Sequence, residues 1–189
     1  MFDMKELAFI TSHPKKAEEL SRYLNYPVTH HKLDLPEIQS LDPHEVVGIK
    51  AKEAYRQLEQ PVLVEDFSLR FEVLGRLPGT LIKWFLTELR PEGLCRLLDS
   101  YDRRDAIAQT CFAFCDQNGL HIFDGVIEGT IAASVRGEQG YGTDSIFIPA
   151  GQSKTWSEMD EQEQVKYSLR RIGLEKLRRF LTQWEPNSK

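Results

Sequence analysis

The sequence predicts an α/β fold built on one mixed parallel and antiparallel sheet flanked by helices. Two patterns carry that expectation. The first 66 residues read as strand, helix, strand, helix, strand, the order in which helices return the chain to a parallel sheet. From Asp105 to Glu128 the pattern becomes a two-residue alternation interrupted by Asn118-Gly119, the strongest short hairpin signal, which predicts an antiparallel half. The 189 residues suffice for a sizeable core, so the whole chain, 1–189, is read as one domain with room for two lobes.

Each element has its own signal. Leu7-Ala8-Phe9-Ile10-Thr11 is a short apolar strand that runs into Ser12-His13-Pro14-Lys15-Lys16. Pro14 suits the first position of a helix, Ser12 or His13 can cap it, and Ala17, Leu20 and Leu24 recur at helical spacing. A helix start offers unpaired N–H groups and a positive dipole end, so this lysine-bearing loop suits phosphate oxygens; a capped surface helix with solvated lysines accounts for the same residues. Val28 to Leu33 reads as a second strand, broken by Asp34-Leu35-Pro36-Glu37. A helix from His44 to Leu58, capped by Asp42 or His44, shows Val46, Val47, Ala51, Ala54 and Leu58 on one side and carries Lys50. Val62-Leu63-Val64 then forms a buried strand ending in Glu65-Asp66, two adjacent carboxylates delivered to a crevice where a hard cation would be held.

Leu77-Pro78-Gly79 is a turn signal, and Ile82-Lys83-Trp84-Phe85 after it reads as the rim of a pocket. A helix from Thr80 with Leu81, Trp84, Phe85 and Leu89, and a shorter one from Glu92 to Leu98, present apolar stripes expected to be core, with Trp84 partly buried. After the hairpin, Thr130 to Val135 continues as another strand. The three glycines between residues 137 and 142 permit a loop to pass close to something else without naming a ligand. Ser157 to Trp184 reads as a long helical region with Val165, Leu169, Ile172, Leu177 and Leu181 on one apolar face and its arginines in solvent. Glu185 to Lys189 reads as a frayed tail.

Composition narrows the function classes. With 41% hydrophobic and 28% charged residues and a net charge of −5, this is an ordinary globular composition, too acidic for a nucleic-acid surface. There is no apolar run of the ~18 residues that a membrane span needs, and Met1 to Glu6 lacks a signal-peptide layout, so no membrane partner and a cytoplasmic location are expected. Cys95, Cys111 and Cys115 are odd in number and the last two share a strand face, which predicts reduced core thiols rather than a disulfide or a metal site.

Several of these pieces together resemble the inosine triphosphate pyrophosphatase family, the Ham1-like purine nucleoside triphosphate pyrophosphatases. The likeness runs from about Leu7 to about Leu181. Its most specific parts are Val62 to Asp66, Gly75-Arg76-Leu77-Pro78-Gly79 with Ile82 to Phe85, and the hairpin beginning Thr110-Cys111-Phe112. The resemblance implies an elongated α/β fold with a central cleft between two lobes, a homodimer, Mg²⁺, and cleavage of a nucleoside triphosphate to monophosphate and pyrophosphate. It implies Asp66 and Glu65 as catalytic residues, Glu37 and Asp66 as metal ligands, Thr11, Lys16 and Lys50 as phosphate contacts, and Tyr141, Asp144, Ser168 and Arg170 around the base.

The departures cluster. Where the family has Asn in the phosphate loop this chain has His13, and Phe67 stands for a Thr or Ser after the acids. In the base-binding half Thr143 replaces Trp, Ser145 replaces Pro, Gln164 replaces Lys, and Leu169 replaces the His that helps read the 6-keto oxygen. A purine site needs an aromatic face and a donor to that oxygen, and Thr143 and Leu169 supply neither, so altered base specificity is expected while the acids and lysines retain the phosphate chemistry. The alternative is a catalytically weakened member that serves as a nucleotide-binding or protein-interaction module.

Overall fold

A computed structural model describes residues 6–184, so the expectations for residues 1–5 and for Glu185 to Lys189 lie outside the described residues. The chain opens with strand β1 (Leu7–Ile10), helix α1 (Pro14–Leu24), strand β2 (Val28–His31), helix α2 (Pro43–Leu58) and strand β3 (Val62–Phe71). β1 pairs in parallel with both β2 and β3, as the alternating pattern predicts. Pro14 sits at the start of α1, and α2 is capped by Asp42, whose carboxylate accepts the His44 N–H at 2.9 Å.

β3 differs from expectation in a way that matters. It does not end at Glu65-Asp66 but continues to Phe71, because Phe67, Leu69 and Phe71 alternate with Ser68 and Arg70 and extend the strand over a second apolar cluster. β1 stops at Ile10, opposite Val64, and β4 (Pro78–Gly79) takes up the same side of β3 only at Leu69 and Arg70. Between those points β3 has a bare edge among the described residues. The acids lie at a gap in the sheet rather than at a strand end.

Helix α3 (Ile82–Arg96) has a break at Arg90, with φ 58° and ψ 173°, just before Pro91, whose ring disfavours a helical residue ahead of it. Two helical pieces result, as expected, but Trp84 is 59% exposed rather than partly buried. β5 (Asp105–Asp116) and β6 (Gly119–Ile131) form the predicted hairpin, joined by Gln117 and Asn118 and pairing from Asp105–Thr130 to Asp116–Gly119. β6 runs through Thr130 and Ile131, so no separate strand spans Thr130 to Val135; after a loop, β7 (Phe147–Pro149) returns to pair with the end of β6. The sheet order is β2-β1-β3-β5-β6-β7, with β4 on β3.

The expected long C-terminal helix is broken into α4 (Glu161–Lys166) and α5 (Leu169–Leu181), each with its own cap, Asp160 and Ser168. The buried face of α5 is Gly173, Leu174, Leu177 and Leu181, whereas Val165 and Ile172 are exposed. α5 lies directly on the sheet because two glycines face each other there. A Cβ on Gly125 would meet the carbonyl of Leu169, and one on Gly173 would come 2.9 Å from the Phe112 ring.

One face of the sheet carries two apolar clusters. Leu7, Phe9, Leu63, Phe112 and Phe114 pack under α1 and α5, and Leu69, Phe71, Ala108, Ile131 and Phe147 pack under α3. The opposite face is covered by α2, against Val62, Val64, Cys111 and Ala113. The two clusters on the shared face are the two lobes, and the gap in β3 falls between them.

Candidate active site

Side chains alternate across a strand, so the adjacent acids Glu65 and Asp66 point to opposite faces. Sequence neighbours are therefore not spatial partners. Asp66 lies on the α2 face, and Lys50 of α2 reaches it with Nζ 3.5 Å from Oδ1, while the same Nζ is 3.7 Å from Glu37 Oε1. Lys83 approaches Glu37 from α3, at 3.6 Å. Two carboxylates thus converge on one ammonium at the mouth of the gap. Burial pushes the Asp66 carboxyl above its ordinary value, and the nearby Lys50 charge only partly offsets this.

Glu65 lies on the other face and is held firmly. Arg170 at the start of α5 binds it in a two-pronged contact, Nε to Oε1 at 2.6 Å and Nη2 to Oε2 at 3.2 Å, and Lys16 of α1 stands 3.8 Å away. The guanidinium also lies over the Phe112 ring, 5.8 Å from its centre, and Phe112 is the cross-strand neighbour of Glu65. Arg170 is therefore not the solvated side chain that its helix position suggests. The close Gly125–Leu169 approach brings it down onto the sheet.

At the end of β1, Thr11 accepts the His13 N–H at 3.2 Å through its hydroxyl, and the His13 side chain makes no capping bond to α1. The first turn of α1 and Lys16 face the cleft with their positive ends. The opposite end is built from the loop after β6. Gly137 adopts φ 83°, and a Cβ there would come 2.6 Å from Ser157, so this loop can lie against the Trp156–Glu158 turn only with glycine at that position. It carries Tyr141, which is 79% exposed, the buried Thr143, and Asp144, whose carboxylate accepts the Tyr141 N–H at 3.0 Å and is pushed up by burial. Gln164 is turned inward to donate to the Trp156 and Met159 carbonyls, at 3.1 and 3.2 Å, and Ser168 spends its hydroxyl capping α5.

All ten site residues chosen from the sequence, Thr11, Lys16, Glu37, Lys50, Glu65, Asp66, Tyr141, Asp144, Ser168 and Arg170, line one cleft of about 1190 Å³. Lys83 and Leu86 line it too. Lys83 was legible only as part of the rim motif Ile82 to Phe85, and Leu86 lies just beyond it, since nothing in the sequence says which side of that helix faces the acids. Leu169 lines the cleft as well as packing on the cluster under α3, so it is not simply core. The donor set of Glu37 and Asp66 fits a hard divalent ion: two carboxylates close enough to share one ammonium, beside open space for phosphate oxygens and water.

Comparison with known proteins gives the same outline. The model of the Ham1 family matches residues 7–180. A protein of Yarrowia lipolytica described as inosine triphosphate pyrophosphatase is 40% identical, covering 97% of this chain and 99% of that one. One of the same description from Schizosaccharomyces pombe is 35% identical, covering 94% and 96%. Among solved structures, a HAM1 protein from Coxiella burnetii superposes with a TM-score of 0.84 at 26% identity, over 96% of this chain and all of that one.

Proposed function

The chain belongs to the Ham1 family, and from that premise we propose that it hydrolyses a nucleoside triphosphate to the monophosphate and pyrophosphate, using Mg²⁺ and with an altered preference for the base. The observation that carries the reading is the convergence of Lys50, Glu37 and Asp66 at the gap in the sheet. A polyphosphate there meets Lys16 and the α1 N-terminus on one side and Lys50 and Lys83 on the other. Asp66, whose buried carboxyl is more basic than usual, takes the proton of a water aimed at the α-phosphorus; the new P–O bond forms as the bond to the pyrophosphate oxygen breaks. Glu65 fixes Arg170 and Lys16 rather than reaching the same water. A bound Mg²⁺, held by Glu37 and Asp66, would supply neutralising charge to the triphosphate. The same reading takes the enzyme as a homodimer, as family resemblance implies, and as cytoplasmic with no nucleic-acid partner, as the composition and charge suggest. Among the described residues no helix is long and apolar enough to cross a membrane.

Base preference rests on Thr143, Leu169 and Gln164, none of which offers the cleft an aromatic face, and Gln164 is already engaged with backbone carbonyls. The test is pyrophosphate release with Mg²⁺ over ITP, XTP, GTP, ATP, their deoxy forms and pyrimidine triphosphates, beside an Asp66→Asn control. Turnover that the control loses supports the reading, and the rank order of bases reports the altered pocket. Binding without turnover on every member of the panel would replace the enzyme reading with that of a nucleotide-binding protein.

A further inference from the structure

On the α2 face, Asp66, Cys111 and Asp124 stand in a row across three strands, since Asp66 pairs with Cys111 in register and Cys111 with Asp124. His44, in the first turn of α2, closes over the far end of that row. Its Nε2 is 2.7 Å from Asp124 Oδ2, and the Cys111 thiol donates to Asp124 Oδ1 at 2.9 Å. Gln109 Nε2 reaches both the sulfur, at 3.4 Å, and Asp124 Oδ1, at 3.2 Å. The imidazole nitrogen, the sulfur and a carboxylate oxygen all lie within 4.8 Å of one another. Apart from Asp66, none of these residues is used by the reaction proposed above. Burial alone would raise Asp124, but hydrogen bonds from Cys111, His44 and Gln109 outweigh it and hold this carboxyl below its usual value.

We propose that His44, Cys111 and Asp124 form a binding site for a divalent ion of the zinc class, separate from the hard-cation site at Glu37 and Asp66. The donor set is the argument. One nitrogen, one sulfur and one oxygen suit a borderline-soft ion, whereas Mg²⁺ demands oxygen ligands and gains little from a thiol or an imidazole. Bonds of about 2.0–2.3 Å to a tetrahedral ion require ligand atoms roughly 3.3–3.6 Å apart, so the two hydrogen-bonded contacts need to open by well under an ångström, and the remaining separation, within 4.8 Å, needs to close by no more than about an ångström. His44 can make that adjustment, because its side chain is half exposed while the other two are fixed on paired strands. Three protein ligands leave a fourth position for water on the solvent side. On binding, the Cys111 proton leaves to solvent and the ion replaces it between sulfur and carboxylate; the proton that His44 Nε2 gives to Asp124 also passes to solvent, leaving the neutral imidazole with its one hydrogen on Nδ1, and Asp124 exchanges its bond to His44 for one to the ion. Cys95, Cys111 and Cys115 are all free buried thiols, as expected, and the proposal adds a ligand role for Cys111 alone.

The experiment is a titration of the full chain with Co²⁺, reading the thiolate-to-cobalt charge-transfer band in the near ultraviolet and the visible bands of tetrahedral cobalt. One equivalent is expected to bind, to be displaced by Zn²⁺, and to survive a large excess of Mg²⁺. Cys111→Ser should abolish the charge-transfer band, and His44→Ala, at an exposed position that leaves the fold intact, should weaken binding by on the order of 100-fold. Cys95→Ser, Cys115→Ser and Asp66→Asn should keep the band. No band in the parent protein, a band that persists in Cys111→Ser or is unweakened in His44→Ala, or displacement by Mg²⁺ would each overturn the proposal. Should Cys111→Ser fail to fold, His44→Ala and Mg²⁺ competition still decide between a site and none.

Discussion

The two ends of the cleft are built differently. At the phosphate end, the charged groups assigned to the reaction stand mostly on regular elements: Lys16 on α1, Lys50 on α2, Lys83 on α3, Glu65 and Asp66 on β3, with Glu37 on a loop. These groups are locked by mutual ion pairs, and their positions follow from strand alternation and helix phase. At the base end, the lining comes from a glycine-dependent loop, an exposed tyrosine and the first turn of α5. A strand-mounted carboxylate cannot move without disturbing a sheet, whereas a loop can be recontoured by one substitution. The departures from the family pattern fall mostly at the loop end, where change costs the fold least.

That contrast breaks first at Asp66. Replacing it with Asn should lower pyrophosphate release by about 10³-fold, because the group proposed to take the water's proton is gone. The fold should not suffer. The charged form of Asp66 is disfavoured by burial, so a neutral amide of the same shape removes a penalty, and Lys50 keeps Glu37 as partner. A melting temperature raised by about 2–4 °C beside lost turnover is the expected pair of results. A melting temperature lowered in the variant would mean that Asp66 holds the structure rather than the chemistry.

Its sequence neighbour should behave the other way. Arg170→Ala leaves Glu65, 12% exposed, with only Lys16 at 3.8 Å, and an under-compensated buried carboxylate costs about 2 kcal/mol. The melting temperature should fall by about 4–8 °C, and activity by roughly 10-fold through a displaced Lys16. Arg170→Lys should recover little, since an ammonium cannot reproduce the two-pronged contact. Calorimetry beside the turnover assay separates the two acids: chemistry on one face of β3, architecture on the other.

Much of this was legible in the sequence, for identifiable reasons. Periodicity located β1, α1, α2 and the hairpin, because each buries one face and its apolar residues recur accordingly. The extension of β3 was present as the alternation Phe67-Ser68-Leu69-Arg70-Phe71, overshadowed by the acids before it. The break between α4 and α5 was present as two cap signals, Asp160 with Glu163 and Ser168, inside a helical pattern. The Arg170–Glu65 pair was not legible at all. It depends on how α5 crosses the sheet, which is set by two facing glycines that no local pattern connects. Exposure of Trp84, Val165 and Ile172 was missed for a related reason: spacing says which residues share a face, not whether anything covers it.

Smaller effects belong to the base end and to the surface. Leu169→His should raise the preference for keto over amino purines by about 10–100-fold by restoring a donor at the cleft wall, and should change the rate on the best present substrate by less than about 3-fold. An equal fall on every base would instead tie Leu169 to the phosphate end. The smallest effect lies outside the cleft, at Glu53, whose carboxylate takes Arg56 Nε at 2.8 Å and Nη2 at 2.7 Å and a third bond from Gln57. Hydrogen bonds from Arg56 and then Gln57 hold its pKa down from 4.5 to about 2. A depressed acid favours the fold when ionised, so its contribution is full above pH 4.5 and disappears as pH falls through about 2. Glu53→Gln should leave turnover unchanged and shift the melting temperature at neutral pH by no more than about 2 °C, since an exposed pair on one helix is screened by water. Melts of both proteins should converge as the pH is lowered from 4.5 toward 2. A large neutral-pH loss, or one that persists at about pH 2, would show that this surface pair carries weight comparable to the pairs in the cleft, and the contrast between mounted and solvated charges would fail.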